Sequence, residues 1–154
     1  MMLCLYCGEK NERMATSCVS CKRDISTPSD MPGHLGQVMK SAEKVQDGKI
    51  SNEDFGALVK KMGEISQQVA DEMNIPIDDD KAVAQTVSKA QKGVFVTLGA
   101  LKEFNAYLDT EDKVYIKKGM AMIKQAYDLS RKSYGELEKL KKDKEAAGEI
   151  PETS

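Results

Sequence analysis

All four cysteines of this 154-residue chain lie at its start, in the order C-x2-C-x10-C-x2-C. Two residues between paired cysteines let one tight turn present both sulfurs to a single ion. Two such turns, from Cys4 and Cys7 and from Cys18 and Cys21, supply four ligands in the tetrahedron that zinc prefers in closed structural sites. The ten residues between the pairs suffice for a short hairpin that brings them together. That separation is shorter than the commonest long-loop spacing, which points to a minimal module over residues 3–25. Leu3, Leu5, Met14, Val19 and Ile25 are the apolar side chains such a module has to bury. They stand against a backbone entropy cost of about 1–2 kcal/mol per residue. Structural zinc contributes about 10–16 kcal/mol in small fingers, so metal is expected to fold this end. Zn2+ with four thiolates is formally dianionic, and Lys10, Arg13, Lys22 and Arg23 are close enough in sequence to offset it.

The same four thiols suit other chemistry. Iron in a rubredoxin-like electron carrier uses an identical ligand set. A redox switch, in which oxidation releases the metal and forms disulfides, needs only these residues. Unrelated reduced thiols are the plain alternative. In a reducing compartment paired cysteines more often hold metal than form structural disulfides. The expected compartment is the cytoplasm: the start Met1-Met2-Leu3-Cys4-Leu5-Tyr6 lacks a basic leader and a long apolar core. No apolar run approaches the roughly 20 residues of a membrane helix.

Around the cysteines the sequence resembles the short zinc-ribbon domains found at the start of many bacterial proteins, which look like C-x-x-C-G-x-x-N, several residues, then C-x-x-C-G. Cys4, Cys7, Gly8 and Asn11 match the first half, and Cys18 and Cys21 the second. Lys22 stands where those domains usually carry glycine. A left-handed backbone there would strain the second turn by about 1–2 kcal/mol. The resemblance implies one structural zinc ion held by Cys4, Cys7, Cys18 and Cys21. It covers only residues 3–25, and such modules serve many functions.

Residues 26–34, Ser-Thr-Pro-Ser-Asp-Met-Pro-Gly-His, read as a linker, and from Leu35 the pattern turns helical. A first helix over about 35–45 carries Leu35, Val38, Met39, Ala42 and Val45 on one face, and Gly48 is placed to cap it in the left-handed conformation. Ser51 reads as the N-cap of a second helix with the stripe Phe55, Leu58, Val59, Met62, Ile65, Val69 and Met73, stopping near Asn74 before Pro76. A third helix runs from about Asp78 to Leu108. Its second half, Val94, Phe95, Val96, Leu98, Leu101, Phe104 and Leu108, is apolar nearly all round, as in the middle of a bundle. The β-branched run between Gly93 and Gly99 admits a break or a strand. A fourth helix over about 111–145 carries Ile116, Met120, Ile123, Tyr127, Ser130, Tyr134 and Leu137 at heptad-like steps, a seam for a partner helix or a second copy. The fold expected is therefore a zinc ribbon over 1–25, a linker over 26–34, an all-α bundle with a long antiparallel hairpin over 35–146, and a frayed tail over 147–154.

Other constellations are weaker. Asp47-Gly48-Lys49-Ile50 looks like the second half of an EF-hand loop, but its register puts Val45 at a ligand position and the short Asp54 at the bidentate one. His34, the sole histidine, reads as a spacer. Asp78, Asp79 and Asp80 suit a helix N-terminus better than a cation site. Lys139, Lys141, Lys142 and Lys144 alternate with Glu136, Glu138, Asp143 and Glu145, a solvated mixed-charge face. No phosphate-cradling glycine loop or nucleophile elbow is present. The expectation is a non-enzymatic binding or regulatory protein that contacts a partner protein or a second copy through its helices. Nucleic-acid binding is second. The net charge of −2, with four basic and three acidic side chains in residues 1–25, gives a weak field for phosphates.

Overall fold

A computed structural model describes residues 1–73 and 81–146, without the side chains of 81–83, 134, 137, 141 and 144–146. The chain runs β1 (Met2–Leu3), β2 (Lys10–Asn11), α1 (His34–Gln46), α2 (Asn52–Glu72), α3 (Lys81–Thr110) and α4 (Lys113–Ala146). The strands pair antiparallel, with Met2 opposite Asn11 and Leu3 opposite Lys10.

The helix ends follow local chemistry. The Ser51 hydroxyl accepts the Asp54 N–H at 3.1 Å, capping α2, with Glu53 and Asp54 in its first turn. Gly48 takes φ 72°, and the Lys49 N–H reaches back to the Lys44 carbonyl at 2.7 Å, closing α1. The same turn disposes of the EF-hand likeness.

Helix α3 is unbroken. Residues 93–99 continue it, and the Thr97 hydroxyl donates to the Gly93 carbonyl at 2.9 Å inside the helix. Packing of the surrounding apolar faces outweighs the weak helix propensity of the β-branched run. The α3–α4 turn is sharper than expected. Glu111 takes the left-handed φ of 58°, and the Asp112 carboxylate accepts the Val114 N–H at 3.0 Å, so α4 starts at Lys113 and not at Glu111.

The 30-residue α3 and 34-residue α4 are about 45 and 51 Å long at 1.5 Å per residue. They form the antiparallel hairpin; α2 packs on α3, and α1 packs on α4 and α2. The core holds Leu58, Leu101, Phe104, Ile116 and Ile123, with Phe55 edge-on to Phe104 at 5.3 Å and to Tyr107 at 6.3 Å. Gly119 lets α4 approach closely: a methyl there would collide with the Phe104 ring. Of the expected seam, Ile116, Met120, Ile123 and Tyr127 pack into this intramolecular core. The side chains of Tyr134 and Leu137 lie outside the described residues.

Phe95 departs from the expectation. It is 65% exposed, because α3 packs chiefly against α4 and α2 and one of its sides faces outward. Asp78, Asp79 and Asp80, the stop before Pro76, and the tail after Ala146 lie outside the described residues. No described helix is long and apolar enough to cross a membrane.

Candidate metal centre

Each cysteine pair sits in a turn of the same shape. In the first, the Gly8 N–H donates to the Cys4 carbonyl at 2.7 Å, and Gly8 takes φ 82°. In the second, the Lys22 N–H donates to the Cys18 carbonyl at 3.0 Å, and Lys22 takes φ 65°. The left-handed residue after each pair turns the chain back and leaves both sulfurs of the pair on one side. Lysine therefore adopts the glycine conformation, at the steric cost that a Cβ brings. Its Nζ settles on the Val19 carbonyl at 2.8 Å.

Paired backbone then brings the two turns together. Cys4 N–H donates to the Glu9 carbonyl at 2.8 Å, and Cys18 N–H to the Arg23 carbonyl at 2.9 Å. Ser17 and Asp24 form an isolated antiparallel bridge. Asn11, 2% exposed, joins the halves: its Oδ1 accepts the Val19 N–H at 2.9 Å, and its Nδ2 donates to the Glu9 carbonyl at 3.1 Å and approaches Cys18 Sγ at 3.5 Å. Asn11 was legible only as part of the matched motif; its use as a bridge was not.

The four sulfurs converge. One ligand atom from each of Cys4, Cys7, Cys18 and Cys21 lies within 4.8 Å of every other. The Cys4–Cys21 and Cys7–Cys18 sulfur pairs are 3.6 Å apart. A tetrahedron with metal–sulfur bonds of about 2.3 Å has edges of about 3.8 Å. A disulfide brings its sulfurs to about 2.05 Å, so these are free thiols at ligand spacing. Cys4 and Cys18 are buried, Cys21 is half-buried and Cys7 is exposed.

Burial pushes the Cys4 thiol up to about 12 and also raises Cys7. At Cys18 burial acts the same way but is outweighed by the backbone N–H groups of Cys21 and Ser20 and by the Asn11 side chain, which bring it to about 6. Four thiolates this close repel one another, and two of them are out of water. A divalent cation among them removes that conflict, since a coordinating thiol is deprotonated outright. The cluster is thus positioned to hold one metal ion.

The module is docked on the helices as well as attached through residues 26–33. Gln37 of α1, 2% exposed, acts as a surrogate strand: its Nε2 donates to the Leu3 carbonyl at 2.7 Å, and its Oε1 accepts the Leu5 N–H at 3.2 Å. The Tyr6 hydroxyl meets Ser41 Oγ at 2.6 Å. His34, expected as a spacer, is the first residue of α1, and its Nε2 accepts the Leu3 N–H at 3.3 Å. Burial lowers its pKa. Arg23 lies over the Tyr6 ring at 5.4 Å and pairs with Asp54 of α2 at 2.9 Å. Its pKa is raised first by the bond to Asp54 and then by Cys21. Lys44 pairs with Asp24 at 3.0 Å. Sequence reasoning missed Gln37, Ser41 and Asp54 as docking residues. The available signal was a run of polar residues, Gln37 and Ser41, flanking the apolar face of α1 at helical spacing. No protein-family model matches the chain, and no curated protein or solved structure matches it.

Proposed function

We propose that Cys4, Cys7, Cys18 and Cys21 together hold one structural Zn2+ ion and make the amino-terminal segment a zinc ribbon. The reading rests on one observation, the mutual approach of all four sulfurs within 4.8 Å on two turns of like geometry. Four thiolates leave zinc no open position for a substrate or an activated water, so its role is structural. The protein is then a non-enzymatic adaptor or regulator, with a rigid metal-stapled module fixed to a helical scaffold that contacts a partner protein or a second copy. Two of the basic side chains near the cluster are engaged internally, Arg23 with Asp54 and Lys22 with Val19, which leaves less positive charge for phosphates.

Elemental analysis of the full chain, purified without added metal, tests the site: one zinc per chain is expected, in a colourless protein. A red protein containing iron would replace this reading with a rubredoxin-like electron carrier. A salt titration of binding to duplex DNA and to RNA tests the partner class. Affinity that falls steeply with salt would make nucleic acid the partner.

A further inference from the structure

Charge is unevenly divided along the chain. Residues 113–132, the first part of α4, hold six basic side chains and one acidic one, a net charge of +5. The rest of the chain holds seventeen basic and twenty-four acidic ones, a net charge of −7. Lys113, Lys117, Lys118, Lys124, Arg131 and Lys132 are all exposed. Among the described residues none of the six makes an ion pair. Five of them fall in two rows with seven-residue steps: Lys117, Lys124 and Arg131 in one, Lys118 and Lys132 with Gln125 between them in the other. A third row, Val114, Ala121 and Asp128, runs between those two. Val114 is 44% exposed, and Asp128, the single acid, forms no ion pair among the described residues. Seven residues make nearly two helical turns, so the rows share one outward side of α4, away from Ile116 and Ile123 in the core.

The stripe is also bounded. It is about 28 Å long at 1.5 Å per residue. Exposed Asp109, Glu111 and Asp112 close it at the α3–α4 turn, and over 133–146 basic and acidic residues balance at four each. These limits narrow the partner. A two-fold contact of this face with itself would set cations against cations. A nucleic acid strand is charged along its whole length, so beyond the stripe it would meet the acidic turn. No exposed aromatic side chain lies in the stripe to stack a base: Tyr115 and Tyr127 are half-buried, with Lys118 and Arg131 over their rings at 5.6 and 6.0 Å. A lipid surface calls for a row of large apolar side chains to insert, and the middle row offers only Val114 and Ala121.

We propose that the outward face of α4 over residues 113–132 docks an acidic helix of a partner protein, about five turns long. Carboxylates at seven-residue steps on such a helix meet both cation rows. A small apolar side chain between them meets Val114 and Ala121, as flanking charges pair across the seam of two helices. Exposed ion pairs are individually weak, so the full set of cations is needed for binding. The inference names the partner of the adaptor reading above and rests on that reading, but not on the metal.

The test is a fluorescence anisotropy titration of the full chain against labelled probes. One is an alanine-based helical peptide of about 20 residues with glutamates flanking one face at seven-residue steps; the others are a scramble of its sequence and single- and double-stranded DNA of matching length. Saturable binding of the one-faced peptide is expected, weaker as salt rises from about 50 to 300 mM and at least about threefold tighter than that of the scramble. Lys117→Glu combined with Lys124→Glu should weaken it by about tenfold or more, since two attractions become repulsions. Lys49→Glu combined with Lys60→Glu makes the same change in net charge at exposed positions outside α4, and should change binding by less than about threefold. In the unaltered chain, amide shifts on adding the peptide should centre on Lys117, Lys124 and Arg131. Absence of saturable binding, equal affinity for the scramble, equal loss in both double variants, or shifts confined elsewhere overturns the docking face and leaves the adaptor reading standing. DNA held more tightly than the peptide, and lost with the Lys117 and Lys124 substitutions, overturns both.

Discussion

Around Cys18 the interior is made of sulfur, backbone and the amide of Asn11; around Phe104 it is made of carbon. The cysteine module buries Met2, Cys4, Cys18 and Ile25 as its own cluster. The bundle buries three aromatic rings, Phe55 with Phe104 and Tyr107 edge-on to it, and the aliphatic side chains of all four helices. The boundary between the two regimes falls within one peptide unit. Cys4 belongs to the module and Leu5 to the bundle core: the chain leaves β1 and enters the cysteine turn between them, and the Leu5 N–H is held by Gln37 of α1. The module is thereby held from two sides, by its sulfurs within and by Leu5, Gln37 and Tyr6 against α1. Packing supplies part of what metal was expected to supply alone.

The largest expected effect separates those two sides. Removing the proposed metal from the full chain with a strong chelator should cost the module an amount on the order of 10 kcal/mol. By hydrogen exchange, the amides of Cys4, Gly8, Cys18 and Lys22, which close the two turns, should lose protection. Amides in the middle of α3 and α4 should keep theirs. Turns that stay protected in metal-free protein would show that docking, and not coordination, holds the module.

The converse perturbation is Phe104→Ala. It removes a fully buried ring that contacts Phe55 and fills the space above Gly119, and should cost about 3–5 kcal/mol. For a chain of this length the melting temperature should fall by about 2–4 °C for each kcal/mol. The metal content of protein that remains folded should not change. A variant that loses metal in proportion to its stability would mean that the two regions unfold as one unit. Gly119→Ala probes the same contact from the other helix. Alanine favours a helix interior by up to about 1 kcal/mol over glycine, so a net loss of about 1–2 kcal/mol on thermal melting would come from the collision with Phe104.

The two regions were also unequally legible. Periodicity located all four helices to within two or three residues at each described boundary, and Ser51 and Gly48 announced their caps, because these depend on neighbours in sequence. What it missed depends on neighbours in space. Phe95 has the same character as Leu101 and Phe104, and only the arrangement of helices around α3 leaves it outward. The left-handed Glu111 lacks the glycine that usually signals such a turn; its carboxylate accepts from Asn52, itself bonded to Tyr107, at the start of α2. At the cysteines, spacing alone identified which sulfurs converge, since a C-x-x-C turn has few shapes. Gln37 and Asp54 could not be assigned there, because a single polar residue on a helix carries no record of what it faces.

The smallest expected effect compares the two turns with each other. They share one backbone shape, yet one carries Gly8 and the other Lys22. Lysine at φ 65° costs about 1–2 kcal/mol relative to a residue without Cβ. Glycine in its place gives back about 0.5–1 kcal/mol through the freedom it gains in the unfolded chain. The exposed bond from Lys22 Nζ to the Val19 carbonyl is also lost. Lys22→Gly should therefore leave a net gain of about 0.5 kcal/mol, read as roughly twofold tighter zinc retention against a chromophoric chelator. Gly8→Ala should move the other way and further. It adds the same backbone strain, offset in part by the freedom that alanine removes from the unfolded chain, and brings a methyl to 3.3 Å from the Lys61 side chain. Should Lys22→Gly weaken retention instead, the lysine would be a tether that stabilises the second turn by more than its backbone strains it, and the two turns would be alike in shape but not in what maintains them.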